Sequence, residues 1–564
     1  MRFADYHYER PDMDALQQQF TGAIQRFKDA DSPKTALAAI DEVNQLRLDF
    51  ITMNRLASIR HSIDTRDAFY DEEKNFFNQN NPRFAQLNHA FYHALVNSPH
   101  KDALIKEKGQ FLFDKAALSL KTFSPEIMSE LQEENKLASE HQKLLASANI
   151  EFQGKTYNLS QMAPFSQSPD RDVRKAASKA VEGFFKEHEK ELDELYDKLV
   201  KVRDSMAKKL GYDRFTELAY DRLGRTDYGA DDVANYRKQI HEQVVPLNEK
   251  LFKKAQKRLG IDAMKHYDLS LDFKSGNPKP VGGLEELVSH ADTMYAEMSP
   301  ETNEFFRFMR ERDLLDLDAK KGKAGGGYCT FIPNHGAPFI FANFNGTKHD
   351  VDVLTHEAGH AFQMYMSRNH DVPEYLMATM EVSEIHSMSM EFFAWPWVEG
   401  FFGKDTDKYK FSHLAQALKL LAYGAAIDEF QHAVYDNPDM TPEERKSLWR
   451  ETDAKYFPFK VYDDAEYYER GGGFQAIMHI FAVPFYMIDY TLAQACAFQY
   501  WMRDRNNHEE AWESYLTLCQ AGGTKGFTEL LALAGLKNPF EAGVLDDVVP
   551  LVRNYLDGID DTAL

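Results

Sequence analysis

The sequence predicts a large, mainly α-helical protein with a small β-sheet beside its most chemically loaded helix. Three observations carry that prediction. Apolar residues recur three and four apart from Asp12 to about Ala148, as in Met13-Asp14-Ala15-Leu16-Gln17-Gln18-Gln19-Phe20, which is the period of a helix. Long charged helices follow from Asp172 to about Leu210 and around Asp231 to Leu259, their charges expected to solvate outer faces. After Lys323 the character changes: Gly325-Gly326-Gly327 leads into Tyr328-Cys329-Thr330-Phe331-Ile332, a turn runs through Pro333 to Pro338, and Phe339-Ile340-Phe341-Ala342-Asn343-Phe344 completes a β-hairpin. A smaller hairpin around Gly154, followed by a loop from Pro164 to Asp170, sets a boundary between an N-terminal helical region, 1–165, and a second region, 166–564.

Composition narrows the partners. The 564 residues carry 66 Lys and Arg against 89 Asp and Glu, a net charge of −23, which repels nucleic-acid phosphates and anionic lipid surfaces. Nucleic acid and membrane are therefore not expected as partners. With 43% hydrophobic and 27% charged residues the chain has the composition of a folded globular protein. Three widely separated cysteines, Cys329, Cys496 and Cys519, make no disulfide framework. A reducing cytoplasm is the expected compartment, and the charges at Arg2, Asp5, Glu9 and Arg10 do not suit a cleaved signal. The run from Gly471 to Ile488 contains Gln475, His479 and Pro484 and reads as one buried helix rather than a membrane span. Oligomeric state is left open by the sequence.

Asn345-Gly346 ends the larger hairpin, and Thr347 with Asp350 three residues on signals a helix beginning near Lys348 and running to about Arg368. On it lies His356-Glu357-Ala358-Gly359-His360. Histidines four apart share a helix face and can put two imidazole nitrogens on one zinc ion, which takes nitrogen donors at about 2.0–2.1 Å. Glu357 stands about 100° round the helix, where it reaches a water on the metal rather than the metal itself. Apolar neighbours Val351, Val353, Leu354, Ala358, Ala361 and Phe362 place the histidines in or beside an interior.

A catalytic zinc needs a third protein ligand and an open position. Gln363 and Met366 stand where a metzincin has its glycine and third histidine, so the ligand must come from elsewhere. Met377 to Phe393 reads as a second helix, ending before Pro396, with Glu381, Glu384, Met388 and Glu391 on one stripe. Glutamates are rarely buried unless paired or bound to metal, and no Lys or Arg occurs from Asn369 to Gly403. Spacing alone does not separate Glu381 from Glu384 as ligand. The remaining carboxylates would hydrogen-bond to ligand histidines and fix their tautomers.

These blocks resemble the thimet-oligopeptidase-type zinc metallopeptidases, and within them the oligoendopeptidase F or Pz-peptidase branch. Phe344-Asn345-Gly346-Thr347 through His356-Glu357-Ala358-Gly359-His360-Ala361-Phe362-Gln363 looks like the family's zinc helix with its lead-in. Glu384-Ile385-His386-Ser387-Met388 stands at the family's third-ligand spacing, with Glu391 matching a further acid, and this resemblance selects Glu384. His386 and Met388 replace the family's usual proline and glutamine. Arg470-Gly471-Gly472-Gly473-Phe474, His479, Pro484-Phe485-Tyr486 and Tyr490 resemble the branch's C-terminal segment, in which a histidine and tyrosines contact substrate and the developing oxyanion. Helical spacing brings 479, 486 and 490 within about 40° of one another if the helix survives Pro484. The glycine run is equally a hinge, a mobile loop or a tight turn.

The resemblance implies two helical lobes around a deep channel, one zinc ion held by His356, His360 and Glu384, Glu357 as general base, and His479 with Tyr486 or Tyr490 at the tetrahedral intermediate. Glu381 and Glu391 would support the ligands. Substrates would be short unstructured peptides, proline-containing and collagen-derived ones among them. An edge strand, Phe339 to Phe344, could pair with an extended peptide; Gly326, Gly327, Tyr328, Phe341, Ala342 and Asn343 are the candidate substrate-binding residues. Two alternatives remain: a metallocarboxypeptidase of related helical fold, and a non-enzymatic peptide-binding protein with structural zinc. The second would need a fourth protein ligand, and none is evident.

Overall fold

The computed structural model describes residues 1–564, and helices account for most of them. The chain divides into two compact units, each assembled from separate stretches of sequence. Met1–Lys121, Lys279–Gly403 and Gln499–Leu536 form one; Thr122–Pro278, Lys404–Phe498 and Lys537–Leu564 form the other. A contiguous boundary near residue 165 has no means of expressing that interleaving. No helix is long and apolar enough to cross a membrane.

In the first unit, helices Met13–Lys28, Pro33–Ile63, Ala68–Val96 and Gln110–Lys121 surround a core of phenylalanines. The sequence explains their starts. Asp12 accepts from the backbone of Asp14 and Ala15, while Ser32 and Thr35 cap each other's backbone with Pro33 at the first helical position. Phe77, Phe84 and Phe91 recur every two turns on one face and are buried, Phe50 stacking on Phe84 at 4.0 Å.

The two sheets are small. β1 (Ile150–Phe152) and β2 (Lys155–Tyr157) make the predicted hairpin around Gly154; the loop expected from Pro164 instead begins as the end of a short helix, Leu159–Ser166. β3 (Leu315–Asp318), β4 (Tyr328–Ile332) and β5 (Ala337–Phe344) form a three-stranded sheet in the order β3-β5-β4. β4 and β5 are the predicted hairpin, Tyr328 opposite Phe341. The expectation that Phe339 to Phe344 is an edge strand is overturned, because β3 pairs with β5 in parallel, Leu315 opposite Ile340. The residues of β5 from Ala337 to Ala342 are all buried, the unbroken apolar pattern of a strand covered on every side.

In the second unit the 39-residue helix Arg171–Lys209 runs as the charge pattern predicts, but its charges do not all face solvent. The Arg203 side chain is fully buried and donates to Glu134 at 2.7 Å and to the Tyr435 hydroxyl at 2.9 Å. Arg174 is likewise buried on Asp268. Periodicity identifies a helix; it does not reveal a cation whose partner lies far along the chain. Helix Thr406–Asp436 is buried along most of its length, including Leu414, Leu418, Leu421 and Phe430, which marks an interior helix.

Candidate active site

The motif helix is His349–Met366 and the glutamate helix is Met380–Phe393. Thr347 does not cap the first as expected. Lys348 takes the cap position without a side-chain bond, and the Asp350 carboxylate reaches back to accept from the backbone of Asn345 at 2.9 Å and Gly346 at 2.7 Å. The hairpin's exit is thereby tied to the helix it feeds.

The two helices cross in close contact at Gly359. A Cβ there would lie 2.5 Å from the His386 carbonyl oxygen and 2.6 Å from the Ser387 Cα, so only glycine permits the approach. From helix His508–Ala521, Tyr515 donates to that same carbonyl at 2.8 Å and fixes the glutamate helix from its other side. The crossing sets Glu384 against both histidines: its Oε2 is 3.3 Å from His356 Nε2 and 3.5 Å from His360 Nε2. Two donors each about 2.1 Å from a tetrahedral centre lie about 3.4 Å apart. Two imidazoles and a carboxylate at these spacings, with all three donor atoms within 4.8 Å of one another, therefore fit a divalent metal ion. Zinc suits that donor set.

Electrostatics agree with the geometry. Burial opposes ionisation of Glu384, but the charges and hydrogen bonds of His360 and His356 overcome it and hold the carboxyl well below its usual range. Burial likewise opposes a charged His356, yet Glu384 and Glu391 push it well up. Glu391 takes His356 Nδ1 at 2.7 Å, which leaves Nε2 facing Glu384 and fixes the tautomer a metal needs. The Ser387 hydroxyl donates to Glu384 Oε2 at 3.0 Å, a contact the spacing argument did not anticipate although Ser387 stands one turn from Glu384.

Glu357 is buried on the motif helix beside the trio. Its charge is felt at the sheet: burial first, and then Glu357, raise the Cys329 thiol well above its usual range. Glu381 is buried at 2% exposure; burial lowers the Lys115 ammonium, and the charges of Glu374 and then Glu381 only partly offset that. Helix Gln110–Lys121 brings that lysine in from far upstream, where its ammonium donates to the Glu374 carbonyl at 3.2 Å. His386 is sealed inside, and burial together with the nearby His360 lowers it to about 3, a neutral imidazole.

The candidate substrate-binding residues separate into two kinds. Phe341 and Ala342 are buried, and the Phe341 ring stacks on Tyr328 at 4.9 Å. Asn343 turns its amide onto the carbonyls of Ala324 at 2.9 Å and Gly326 at 2.8 Å, tethering the glycine loop. Gly326, Gly327 and Tyr328 lead into β4, an outer strand of the sheet.

In the second unit His479, Tyr486 and Tyr490 come together, with ring centroids 6.0, 5.9 and 4.9 Å apart. They do not do so as the phase of one helix. The single buried helix expected over Gly471 to Ile488 is instead a 3-10 segment, a short helix Met478–Ala482, a break, and a new helix from Met487. The glycine run is a tight turn. Gly471 has φ 94°, and a Cβ there would fall 1.8 Å from the Lys446 carbonyl oxygen, a position closed to any side chain.

A helix carrying H-E-x-x-H, crossed by a second helix that offers a carboxylate as third donor, defines the class as a metallopeptidase. Comparison with known proteins makes this specific. Residues 165–549 match the profile of Peptidase family M3, and residues 3–123 match that of the Peptidase M3 N-terminal domain; the chain belongs to peptidase family M3. A solved structure described as Pz peptidase A with an inhibitor is 52% identical, covers 100% of both chains and superposes with a TM-score of 0.96. A structure of the oligoendopeptidase F type from Bacillus anthracis str. Ames is 50% identical over 100% of this chain and 99% of that one, TM-score 0.91. The oligoendopeptidase F homolog of Lactococcus lactis subsp. lactis (strain IL1403) is 22% identical over 94% of this chain and 90% of its own. The protein is a metalloendopeptidase.

Proposed function

We propose that this metalloendopeptidase hydrolyses internal bonds of short, unstructured oligopeptides with one zinc ion held by His356, His360 and Glu384. The observation that carries the reading is the pair of Nε2 to Oε2 distances, 3.3 and 3.5 Å, at the edge length of a tetrahedral site. Zinc bound there would polarise the scissile carbonyl and acidify the attacking water. Glu357, one residue along from His356, accepts the proton of that water and returns it to the leaving amine. Glu391 and Glu381 keep the ligand set oriented, Glu391 through His356 Nδ1. His479, with Tyr486 or Tyr490, donates to the oxyanion of the tetrahedral intermediate. Gly326, Gly327 and Tyr328, on the way into outer strand β4, are where an extended peptide would pair; the backbone of Phe341 and Ala342 serves this only from within the sheet.

Oligopeptides as the substrate class are supported by the names of relatives, an oligoendopeptidase F homolog and an oligopeptidase. A preference for proline-containing, collagen-derived peptides is the finer form of that reading, supported by the similarity to a Pz peptidase. The test is digestion of internally quenched peptides blocked at both ends, with chelator, without it, and after zinc is restored. Cleavage that stops with chelator and returns with zinc is the expected result. Cleavage indifferent to chelator, or confined to unblocked C-termini, would sink the reading.

A further inference from the structure

The break that gathers His479, Tyr486 and Tyr490 is held in a conformation its own sequence disfavours. Tyr486 N donates to Val483 O at 3.3 Å, closing a four-residue turn with Pro484 second and Phe485 third. Phe485 has φ 67°. That is the pattern of a type II turn, whose third position ordinarily takes glycine because φ is positive there. A bulky residue persists in that region only when its surroundings over-determine it.

Three buried side chains supply what the broken helix lacks. Pro484 has no N–H for the Ile480 carbonyl four residues back, and Phe485 N is turned away from the Phe481 carbonyl. Arg203 donates to both oxygens, at 3.2 and 2.5 Å. Phe485 N finds Gln431 Oε1 at 3.1 Å. The Phe485 carbonyl accepts from Arg225 at 2.7 Å, and Arg225 also grips Asp489 at 2.6 Å, both side chains fully buried. The Phe485 ring, itself wholly buried, is boxed by His432 at 5.0 Å, Tyr435 at 5.6 Å and Tyr220 at 5.8 Å.

We propose that Gln431 and Arg225, with Arg203 behind them, are positioning residues: they lock Phe485 in its left-handed conformation and so fix where the Tyr486 and Tyr490 hydroxyls stand relative to His479. The inference rests on the reading that this cluster serves the transition state. The bulky residue at 485 is what makes the lock work, because its ring anchors the turn while the two amide-flanking bonds hold its backbone. A glycine would adopt the same φ at no cost and would also be free to leave it.

The test uses the full-length, metal-loaded enzyme and two variants on opposite sides of the turn. Gln431→Met keeps the volume and removes the acceptor for Phe485 N. Arg225→Lys keeps the charge for Asp489 and shortens the reach of the single nitrogen that donates to both Asp489 and Phe485 O. Each is expected to lower kcat about tenfold to a hundredfold, to leave KM within about twofold, since the donors act on the transition state, and to leave bound zinc unchanged. Combining Gln431→Met with Tyr486→Phe or Tyr490→Phe should cost less than the product of the two losses, because both act through the same hydroxyl. Amide exchange over residues 479–490 should accelerate in both clamp variants. Normal kcat in the clamp variants while a tyrosine variant is impaired overturns the inference alone, as do losses that simply multiply. Full rates for His479→Gln, Tyr486→Phe and Tyr490→Phe overturn the catalytic reading of the cluster first, and the inference with it. If one clamp variant fails to fold, the other decides.

Discussion

His356, His360, Glu384 and Glu391 stand on two unbroken helices, whereas His479, Tyr486 and Tyr490 stand around a break. In the first region the spacing along each helix already aims the side chains, and the tertiary structure has only to bring the helices close enough. A glycine permits that approach. In the second region no helical phase relates the rings, since Pro484 and the positive φ of Phe485 end one helix before the next begins. Their proximity depends on buried arginines and a glutamine from other elements. The candidate ligand residues thus fall in short sequence motifs, while the three rings of the second region are gathered by packing alone.

The comparison predicts that changes in the first region move metal binding or proton transfer, and changes in the second move kcat without touching the metal. The largest effect is expected from Glu357→Gln, which should lower peptide hydrolysis by about 10²–10⁴ with zinc content, measured by elemental analysis, near one ion per chain. A fully active variant would remove Glu357 from the mechanism. Next, whichever of Tyr486→Phe and Tyr490→Phe removes the oxyanion donor should cost about 10²–10³ in kcat; a parallel loss of zinc from it would break the separation between the regions. Glu391→Gln, which weakens the hold on His356 Nδ1, should reduce zinc affinity about 10–100-fold, read by competition with a chromogenic chelator. The smallest expected effect is from Gly359→Ala. Its Cβ would push on the His386 carbonyl, at a cost of about 1–3 kcal/mol in unfolding free energy, with weaker zinc binding as the helices part. An unchanged melting temperature and zinc affinity would show that the crossing is not as tight as it stands here.

Legibility in the sequence follows the same division. The motif helix, the glutamate helix and the β4–β5 hairpin are local in sequence, and periodicity with turn residues is enough to find them. Spacing left Glu381 and Glu384 undecided because both lie on one stripe; the structure separates them, because it is the Glu384 carboxylate that stands against the two histidines. The error at Phe339 to Phe344 has an equally plain cause. β5's second partner, Leu315–Asp318, is four residues long and pairs in parallel across an intervening stretch of chain, and nothing in a four-residue pattern announces that.

What the sequence determined by itself is the placing of the polar residues along each helix: two imidazoles one turn apart, Glu357 beside them, and a glutamate stripe on the next α-helix, all fixed by the 3.6-residue period of the helix. What only the tertiary structure decided is which carboxylate faces the imidazoles, which strand is outermost, and how three rings meet across a broken helix. Those depend on partners distant along the chain, such as Arg203 with Phe481 or Leu315 with Ile340. Local periodicity holds no record of contacts that exist only once the chain has folded.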